Sequence, residues 1–270
     1  MEEHKERYFR SFVKWSEINL EYLVGTIREM EESIRGCYEE TINLNSDRFV
    51  KMILVDASFI LELFFRCSSV SWTSDDPISV EPRANAVFLD LLLLENQLPF
   101  FVIEKLHQLA FPSLFDANPF LLNYNEFLKI YISCFSYSNI QSIQAHPNMK
   151  IEHFTDLLRT YQLPPPEEQQ KRHSQLIRHL YSATQIHEAG VKFEVGTSKC
   201  YFDIKFEKGV LKIPSIELND MMVVVTPNIM ALKQTRYREN AYLTDYFLFM
   251  NLLINTKKDV DLLCDKKILV

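Results

Sequence analysis

The chain has 270 residues, of which 47% are hydrophobic and 24% are charged, a composition that excludes an intrinsically disordered protein. Its net charge of −7 disfavours general binding to nucleic acid, because a negative field repels polyphosphates. It contains only 5 glycines and no Gly-x-Gly pair, which excludes the usual phosphate-binding glycine loops.

Cysteine content and hydropathy predict an intracellular, soluble chain. The 5 cysteines are widely spaced and odd in number, so no disulfide framework is expected. Residues 1–10 are charged and lack the apolar core of a signal peptide. The most apolar window, residues 86–103, includes Asp90, Glu95 and Pro99, so a membrane span is not expected.

The N-terminal residues are predicted to be helical. Apolar residues recur at helical spacing over residues 3–38, which predicts one long amphipathic helix. Ser46 or Asp47 is a candidate cap for a second helix. Apolar residues cover most of the circumference of that helix as far as Cys67, so we expect it to be central.

Residues 84–109 are predicted to form two helical pieces. Pro99 lacks a backbone N–H and disfavours helical conformation before it, which indicates a break near Gln97. Further helices are predicted over residues 121–137 and 149–161.

A change of periodicity follows the next predicted helix, residues 167–188, for which Gly190 is the expected left-handed C-terminal cap. Alternating apolar residues then predict short antiparallel strands over residues 191–214. Lys208 and Gly209 are suited to the tight turn of a hairpin.

The C-terminal residues return to a helical pattern. Thr226 and Pro227 predict a helix start, and helices are expected over residues 227–237, 241–255 and 258–264. The predicted fold is therefore mainly α, a multi-helix globular domain with a small antiparallel β element near residues 191–214. We expect a single domain over residues 1–270.

The sequence offers no catalytic, cofactor-binding or metal-binding residues. The histidines lack the His-x-x-x-His spacing of metal ligands, and no Cys-x-x-Cys pair is present. Ser11 and Lys14 match Ser-x-x-Lys, but they lie on a predicted amphipathic surface helix and have no partner motif.

Three polar residues, Glu95, Asn96 and Gln97, separate two strongly apolar runs. One interpretation places them in a binding crevice. The favoured interpretation is structural, because Pro99 frees backbone carbonyls and the amide side chains can satisfy such groups or cap the next helix.

Two further features pose the same choice between a site and structure. Asp56 and Glu62 lie in the second helix, where buried acids need partners such as Arg66. The basic cluster Lys171–His179 could meet a phosphate or a lipid headgroup, but a solvated helix with acids before it is the favoured interpretation.

Long motifs give the sequence a resemblance to a plant family known as domain of unknown function 247. The strongest is "LLLLENQLPFFVIEKLHQL" at residues 91–109. Other segments that resemble the family, in order, are "HKERYF" (4–9), "LVDASFILELFFR" (54–66), "HFTDLLR" (153–159), "SATQIHEAGVKF" (182–193), "FDIKFEKGVLKIP" (202–214) and "YFLFMNLLINTKKDVDLL" (246–263).

This resemblance implies an uncharacterised plant protein without an established enzymatic activity. Family members are typically longer and usually end in a hydrophobic helix that anchors them to the plasma membrane. We expect this chain to lack both that tail and the usual upstream "SIGPYHHG"-like segment. Family-motif residues that are expected to be structural are Asp56, Glu62, Glu95, Asn96, Gln97, Pro99, Asp203 and Gly209.

The leading functional hypothesis is a non-enzymatic interaction or recognition module that acts in signalling at the plasma membrane. Its expected partner is an unidentified protein and not a nucleic acid, and contact with the membrane is expected only through the tail. The alternative is a small-ligand binder or an enzyme that uses the polar crevice near Glu95–Gln97 together with Asp56. A third hypothesis is membrane contact through Lys171–His179.

Overall fold

The computed structural model describes residues 2–69, 72, 76, 78–79, 81–111, 150–163, 180–198, 200–236 and 242–270. The chain divides into two compact units. The first comprises the described residues up to Leu91 and those between Asn96 and Phe154. The second comprises Leu92–Glu95 and the described residues from Thr155 onward. The single-domain organisation stays a prediction.

Helices form the first unit. They are α1 (Glu2–Ser16), α2 (Leu20–Arg35), α3 (Ser46–Ser69), α4 (Glu81–Asp90) and α5 (Phe100–Ala110). A sixth helix, α6 (Phe154–Gln162), begins at Phe154, the last residue of the first unit, and continues into the second unit.

The prediction of one helix over residues 3–38 is wrong, because α1 and α2 are separate. Glu17 adopts a positive φ of 56°, which ends α1. The side chain of Asn19 then accepts a hydrogen bond from the N–H of Glu21 at 2.7 Å and so caps the start of α2. The apolar spacing continues through this break, which is why periodicity alone misses it.

Helix α3 is the centre of the first unit, as predicted. Helices α1, α2 and α5 all pack against it, and residues such as Ile53 and Leu63 are fully buried. Its cap differs from the prediction. Asn45, rather than Ser46 or Asp47, accepts a hydrogen bond from the N–H of Arg48 at 3.0 Å.

The predicted break before Pro99 is confirmed. Helix α4 ends at Asp90, a short 3-10 turn spans Leu94–Asn96, and α5 begins at Phe100 directly after Pro99. The helix predicted over residues 149–161 corresponds to α6, whereas the one predicted over residues 121–137 lies outside the described residues.

The second unit contains the strands. Its elements after α6 are α7 (Ala183–Glu188), β1 (Lys192–Gly196), β2 (Lys205–Glu207), β3 (Val210–Pro214), α8 (Asp220–Arg236), α9 (Tyr242–Leu253) and α10 (Lys257–Asp265). Phe193, Leu211 and Ile213 of the sheet share a buried core with Tyr246 and Leu263 of the helices. The predicted fold class, mainly α with a small β element, is confirmed.

The sheet is mixed, with the strand order β1-β3-β2. Strands β2 and β3 are antiparallel, as predicted, and Lys208 and Gly209 form the turn between them with φ values of 50° and 77°. Strand β1 instead runs parallel to β3, so the prediction of an antiparallel element is wrong for β1. Alternating apolar residues predict strands but not the direction in which two strands pair. Gly196 at the end of β1 pairs with Pro214, and Lys205 at the start of β2 pairs with Lys212, so β1 ends and β2 begins near the same end of β3.

Two helix ends in this unit test the local signals. Gly190 follows α7 with a φ of 100°, and its N–H donates to the carbonyl of His187 at 2.9 Å, as expected of a left-handed cap. The helix start predicted at Thr226 and Pro227 is wrong, because Pro227 lies inside α8. The proline removes the hydrogen bond to the carbonyl of Val223, a residue that is exposed to solvent.

A buried carboxylate, Asp259, joins α10 to the N-terminus of α7. Its Oδ1 accepts from the N–H of Thr184 at 2.8 Å, and its Oδ2 accepts from the N–H and hydroxyl of Thr256, each at 2.8 Å. Burial raises the pKa of Asp259, but the hydrogen bonds from Thr184, Ser182 and Thr256 outweigh burial and hold the pKa well below its usual range.

Helix length and hydropathy bear on membrane insertion. Across the helices that the structure describes, none combines the length and the apolar composition needed to cross a bilayer.

The two glycines Gly209 and Gly25 predict opposite effects of one substitution. Gly209→Ala places a side chain at a φ of +77°, so we expect it to lower the free energy of unfolding by about 1–2 kcal/mol. Gly25 lies inside α2 with no neighbouring atom within 4 Å of an added Cβ, so Gly25→Ala should raise the free energy of unfolding by about 0.5–1 kcal/mol. Urea unfolding measures both. Changes of the same sign would contradict the assignment of the turn.

Asp259 predicts a pH-dependent contribution to stability. Because its pKa is depressed in the folded protein, its contribution is fully present above its unfolded pKa of about 3.9 and is lost as the pH falls further. Asp259→Asn replaces one acceptor with a donor, so we expect a loss of about 1–3 kcal/mol at pH 7. The difference from the unsubstituted protein should narrow below pH ~4. Asp261→Asn, in the same helix but exposed, is the matched control and should leave stability nearly unchanged.

Candidate functional site

An open groove of about 450 Å³ lies on the first unit, between α1 and α2 and above α3. The break at Glu17 creates it, because the chain turns there and places α2 beside α1 instead of extending it. Its floor consists of Val50, Leu54 and Val55 of α3, all buried.

Apolar side chains also form the walls of the groove. Phe9 of α1 stands on one side, and Leu20 and Val24 of α2 stand on the other. Leu20 is 46% exposed, which is high for a leucine beside a buried core. The apolar surface that the groove presents to water thus comes mainly from its walls, since the floor residues are buried.

Charged side chains surround the opening. On the α2 side, Arg28 pairs with Asp47 at 2.6 Å. On the α1 side, Glu6 lies 3.7 Å from Arg10 and 3.9 Å from Lys51. An apolar floor with a charged rim is the arrangement of surfaces that bind amphipathic segments.

A buried guanidinium, that of Arg66, fixes α1 on α3. Arg66 donates to Glu62 at 2.7 Å, to Asp76, and to the hydroxyl of Ser11 in α1 at 3.1 Å. Asp76 in turn accepts a hydrogen bond from the hydroxyl of Tyr8 at 2.8 Å. Ser11, which matched a catalytic Ser-x-x-Lys pattern, thus serves as a partner of this buried cation.

Aromatic packing reinforces the same contact. The indole N–H of Trp15 donates to Glu62, and its ring stacks on Phe65 with centroids 4.9 Å apart. The guanidinium of Arg66 lies 4.4 Å from the ring centroid of Tyr8. Burial, with the hydrogen bond to Asp76, raises the pKa of the Tyr8 phenol, which therefore stays protonated.

Helix α2 is held on α3 by an independent set of contacts. Leu23, Ile27 and Ile34 are fully buried, and the guanidinium of Arg35 lies 3.8 Å from the ring centroid of Phe49. The same arginine donates to the carbonyls of residues 42 and 44 at 2.9 and 2.8 Å. Both walls of the groove are therefore anchored to its floor.

The polar residues singled out from the sequence lie elsewhere. The amide of Asn96 donates to the carbonyl of Asp90 at 3.2 Å, and that of Gln97 donates to the carbonyl of Leu91 at 2.7 Å. Glu95 is exposed. Pro99 precedes the first residue of α5. The two amides thus bind backbone groups where α4 ends, and none of these four residues lines the groove.

The acidic residues singled out from the sequence have separate partners. Asp56 pairs with Lys5 at 2.7 Å, whereas Glu62 belongs to the Arg66 network. Burial raises the pKa of Asp56, and the Lys5 ammonium offsets only part of the increase.

The remaining candidates lie in the second unit or outside the described residues. Asp203 pairs with Lys205 at 2.9 Å, and Gly209 forms the β2–β3 turn. The basic cluster Lys171–His179 lies outside the described residues. Within the described ranges, no three His, Cys, Asp or Glu side chains lie close enough to hold a metal ion.

No sequence motif marks the groove as a site. Its lining residues are common leucines, valines and surface charges from three helices, which carry no motif. The available signal was Asn19, a helix-capping residue type inside the supposed long helix, followed by Glu21 in the expected first turn.

Fold and site together define a mainly helical protein with an apolar surface groove. The family model DUF247, described as "Plant protein of unknown function", matches residues 1–270, and the chain belongs to this family.

Two curated relatives come from Arabidopsis thaliana. "UPF0481 protein At3g47200" is 28% identical over 299 aligned positions, which cover 100% of this chain and 61% of that protein. "Putative UPF0481 protein At3g02645" is 29% identical over 101 positions, which cover 37% of this chain and 18% of that protein. The chain thus spans less than two thirds of the length of either relative. No solved structure matches it with significance.

The Arg66 network predicts a large difference between two arginine substitutions. Arg66→Met leaves Glu62 and Asp76 buried without their cation, so we expect a loss of about 3–5 kcal/mol in the free energy of unfolding. Arg28→Met breaks a pair in which both side chains are mostly exposed and should cost at most about 1 kcal/mol. Urea denaturation followed by circular dichroism measures both losses.

A second substitution tests the cause of that loss. Adding Glu62→Gln and Asp76→Asn to Arg66→Met removes the uncompensated charges and should restore part of the lost stability. If the triple variant is no more stable than Arg66→Met alone, buried charge is not the source of the loss.

Proposed function

We propose that this chain is a non-enzymatic recognition module that binds a partner protein through the groove between α1, α2 and α3. The observation that supports the proposal is the mostly apolar lining of the groove, which opens to water beside the half-exposed Leu20. Concave, mostly apolar clefts of about 300–1,000 Å³ are a usual form of binding site, and the groove falls in that range.

The dimensions of the groove suit a short structural element of a partner. The lining residues on α3, rim and floor together, extend from Asp47 to Val55, which corresponds to about 12 Å of helix at 1.5 Å per residue. A length of about 12 Å accommodates roughly two turns of a docked helix, with anchoring side chains spaced as in other helix-in-groove complexes.

The proposed setting is signalling at the cytoplasmic face of the plasma membrane. This placement rests on the resemblance to family members that carry a membrane anchor. It concerns proteins of the full length that the relatives have. The net charge of −7 further supports a protein partner over nucleic acid.

A photo-crosslinking experiment tests the role of the groove. In one variant a photoreactive amino acid replaces Leu20 in the groove wall, and in a control variant it replaces Leu248. The two leucines are similarly exposed, at 46% and 40%. Each protein is irradiated in detergent-solubilised plant membrane and cytosolic extract. We expect crosslinked adducts with an extract protein from position 20, and we expect an excess of the unsubstituted chain to suppress them. Position 248 should give no adduct of the same mass.

The captured partner is then purified and its affinity is measured. Leu20→Asp removes an apolar wall residue, and because position 20 opens α2, an acid there also suits the helix dipole and should preserve folding. We expect this variant to weaken binding about tenfold or more. Unchanged affinity, or equal adducts from both positions, would refute the groove as the binding surface.

A further inference from the structure

We infer that the groove is built for an amphipathic helix that carries carboxylates along one edge, the edge that faces Arg10 and Lys51. This inference rests on the proposed function and specifies the chemistry of its partner.

The α1 side of the rim has an excess of positive charge. The single carboxylate of Glu6 serves two cations, with one oxygen 3.7 Å from Arg10 Nη2 and the other 3.9 Å from Lys51 Nζ. Both distances exceed that of a hydrogen bond, so neither cation is tightly bound by Glu6. Their side chains are 79% and 73% exposed, which leaves their N–H groups available to an incoming acid.

The α2 side of the rim is balanced. Arg28 and Asp47 form a one-to-one pair with a hydrogen bond of 2.6 Å. The five charged lining residues thus carry a net charge of +1, concentrated beside α1, on a chain whose net charge is −7. A partner helix with its acidic edge toward α1 complements this asymmetry. A helix with a basic edge there is repelled by Arg10 and Lys51.

Complementary charge at a rim sets specificity and orientation more than affinity. Exposed ion pairs are individually weak and are screened by salt. We therefore expect the apolar stripe to supply most of the binding and the charged edge to supply a preference of about tenfold at low salt. That preference should shrink as salt is added.

Two synthetic helical peptides provide the test. They share one stripe of leucines at positions i, i+3, i+4 and i+7 and differ only in having Glu or Lys along one edge. Each carries a fluorescent label, and fluorescence anisotropy measures its affinity for the full chain at low salt. We expect the Glu peptide to bind about tenfold more tightly than the Lys peptide.

Charge reversal at the rim identifies the residues responsible. Arg10→Glu combined with Lys51→Glu should abolish or invert the preference. Lys257→Glu combined with Lys258→Glu changes the net charge equally at exposed positions that do not line the groove, and should leave the preference intact. Circular dichroism confirms that each variant is folded.

The outcomes separate this inference from the proposed function. If both peptides bind equally and Leu20→Asp weakens both, the groove binds helices and the acidic edge is refuted. A preference for the Lys peptide, or one that survives reversal of Arg10 and Lys51, also refutes it. Octanoate serves as a probe for small anionic amphiphiles. If octanoate binds, its binding is lost when Arg10 and Lys51 are reversed, and neither peptide binds, then the groove takes a small anionic amphiphile and the proposed helical partner is refuted. Crosslinking from position 20 tests the proposed function independently in every case.

Discussion

The buried guanidinium of Arg66 is the interaction on which the described part of the first unit depends. Removing a cation from water is costly unless its N–H groups are satisfied, and the partners of Arg66 come from α3 itself, from Asp76 and from Ser11 of α1. Helix α1 must therefore dock where Ser11 reaches the guanidinium. Since α1 also carries Phe9 and Arg10, this one buried charge fixes one wall and half of the rim of the groove.

Directional bonds give this docking a precision that apolar packing lacks. The rings of Tyr8 and Phe59 pack with centroids 5.2 Å apart, but cores tolerate substitution and small shifts when volume and patterning are kept. A hydrogen bond from Tyr8 to Asp76 and one from Trp15 to Glu62 allow less freedom, because charged acceptors require short, aligned donors. Apolar burial thus supplies the stability of the α1–α3 contact, and the polar network fixes its register.

Local sequence signals predicted the parts of the fold that local physics determines. Gly190 and Gly209 have the positive φ values that their positions indicated, and Pro99 separates two helices. The failures arise where tertiary contacts decide. Apolar spacing continues through Glu17 although the chain turns there, and α8 accommodates Pro227 at the cost of one hydrogen bond. The groove could not be predicted, because it exists only once that turn has brought three helices together.

The motif residues and the groove residues differ in what their side chains contact. Conspicuous residues such as Glu62 and Gln97 bind other parts of the same chain, so their identities are constrained by folding. The walls and rim of the groove use exposed side chains such as Leu20 and Lys51, and we expect their replacement to change stability little. A scaffold of this kind can alter the lining of its groove while keeping its fold. If the proposed binding occurs, we expect partner specificity to reside in the ordinary residues of the groove and not in the segments by which the sequence resembles the family.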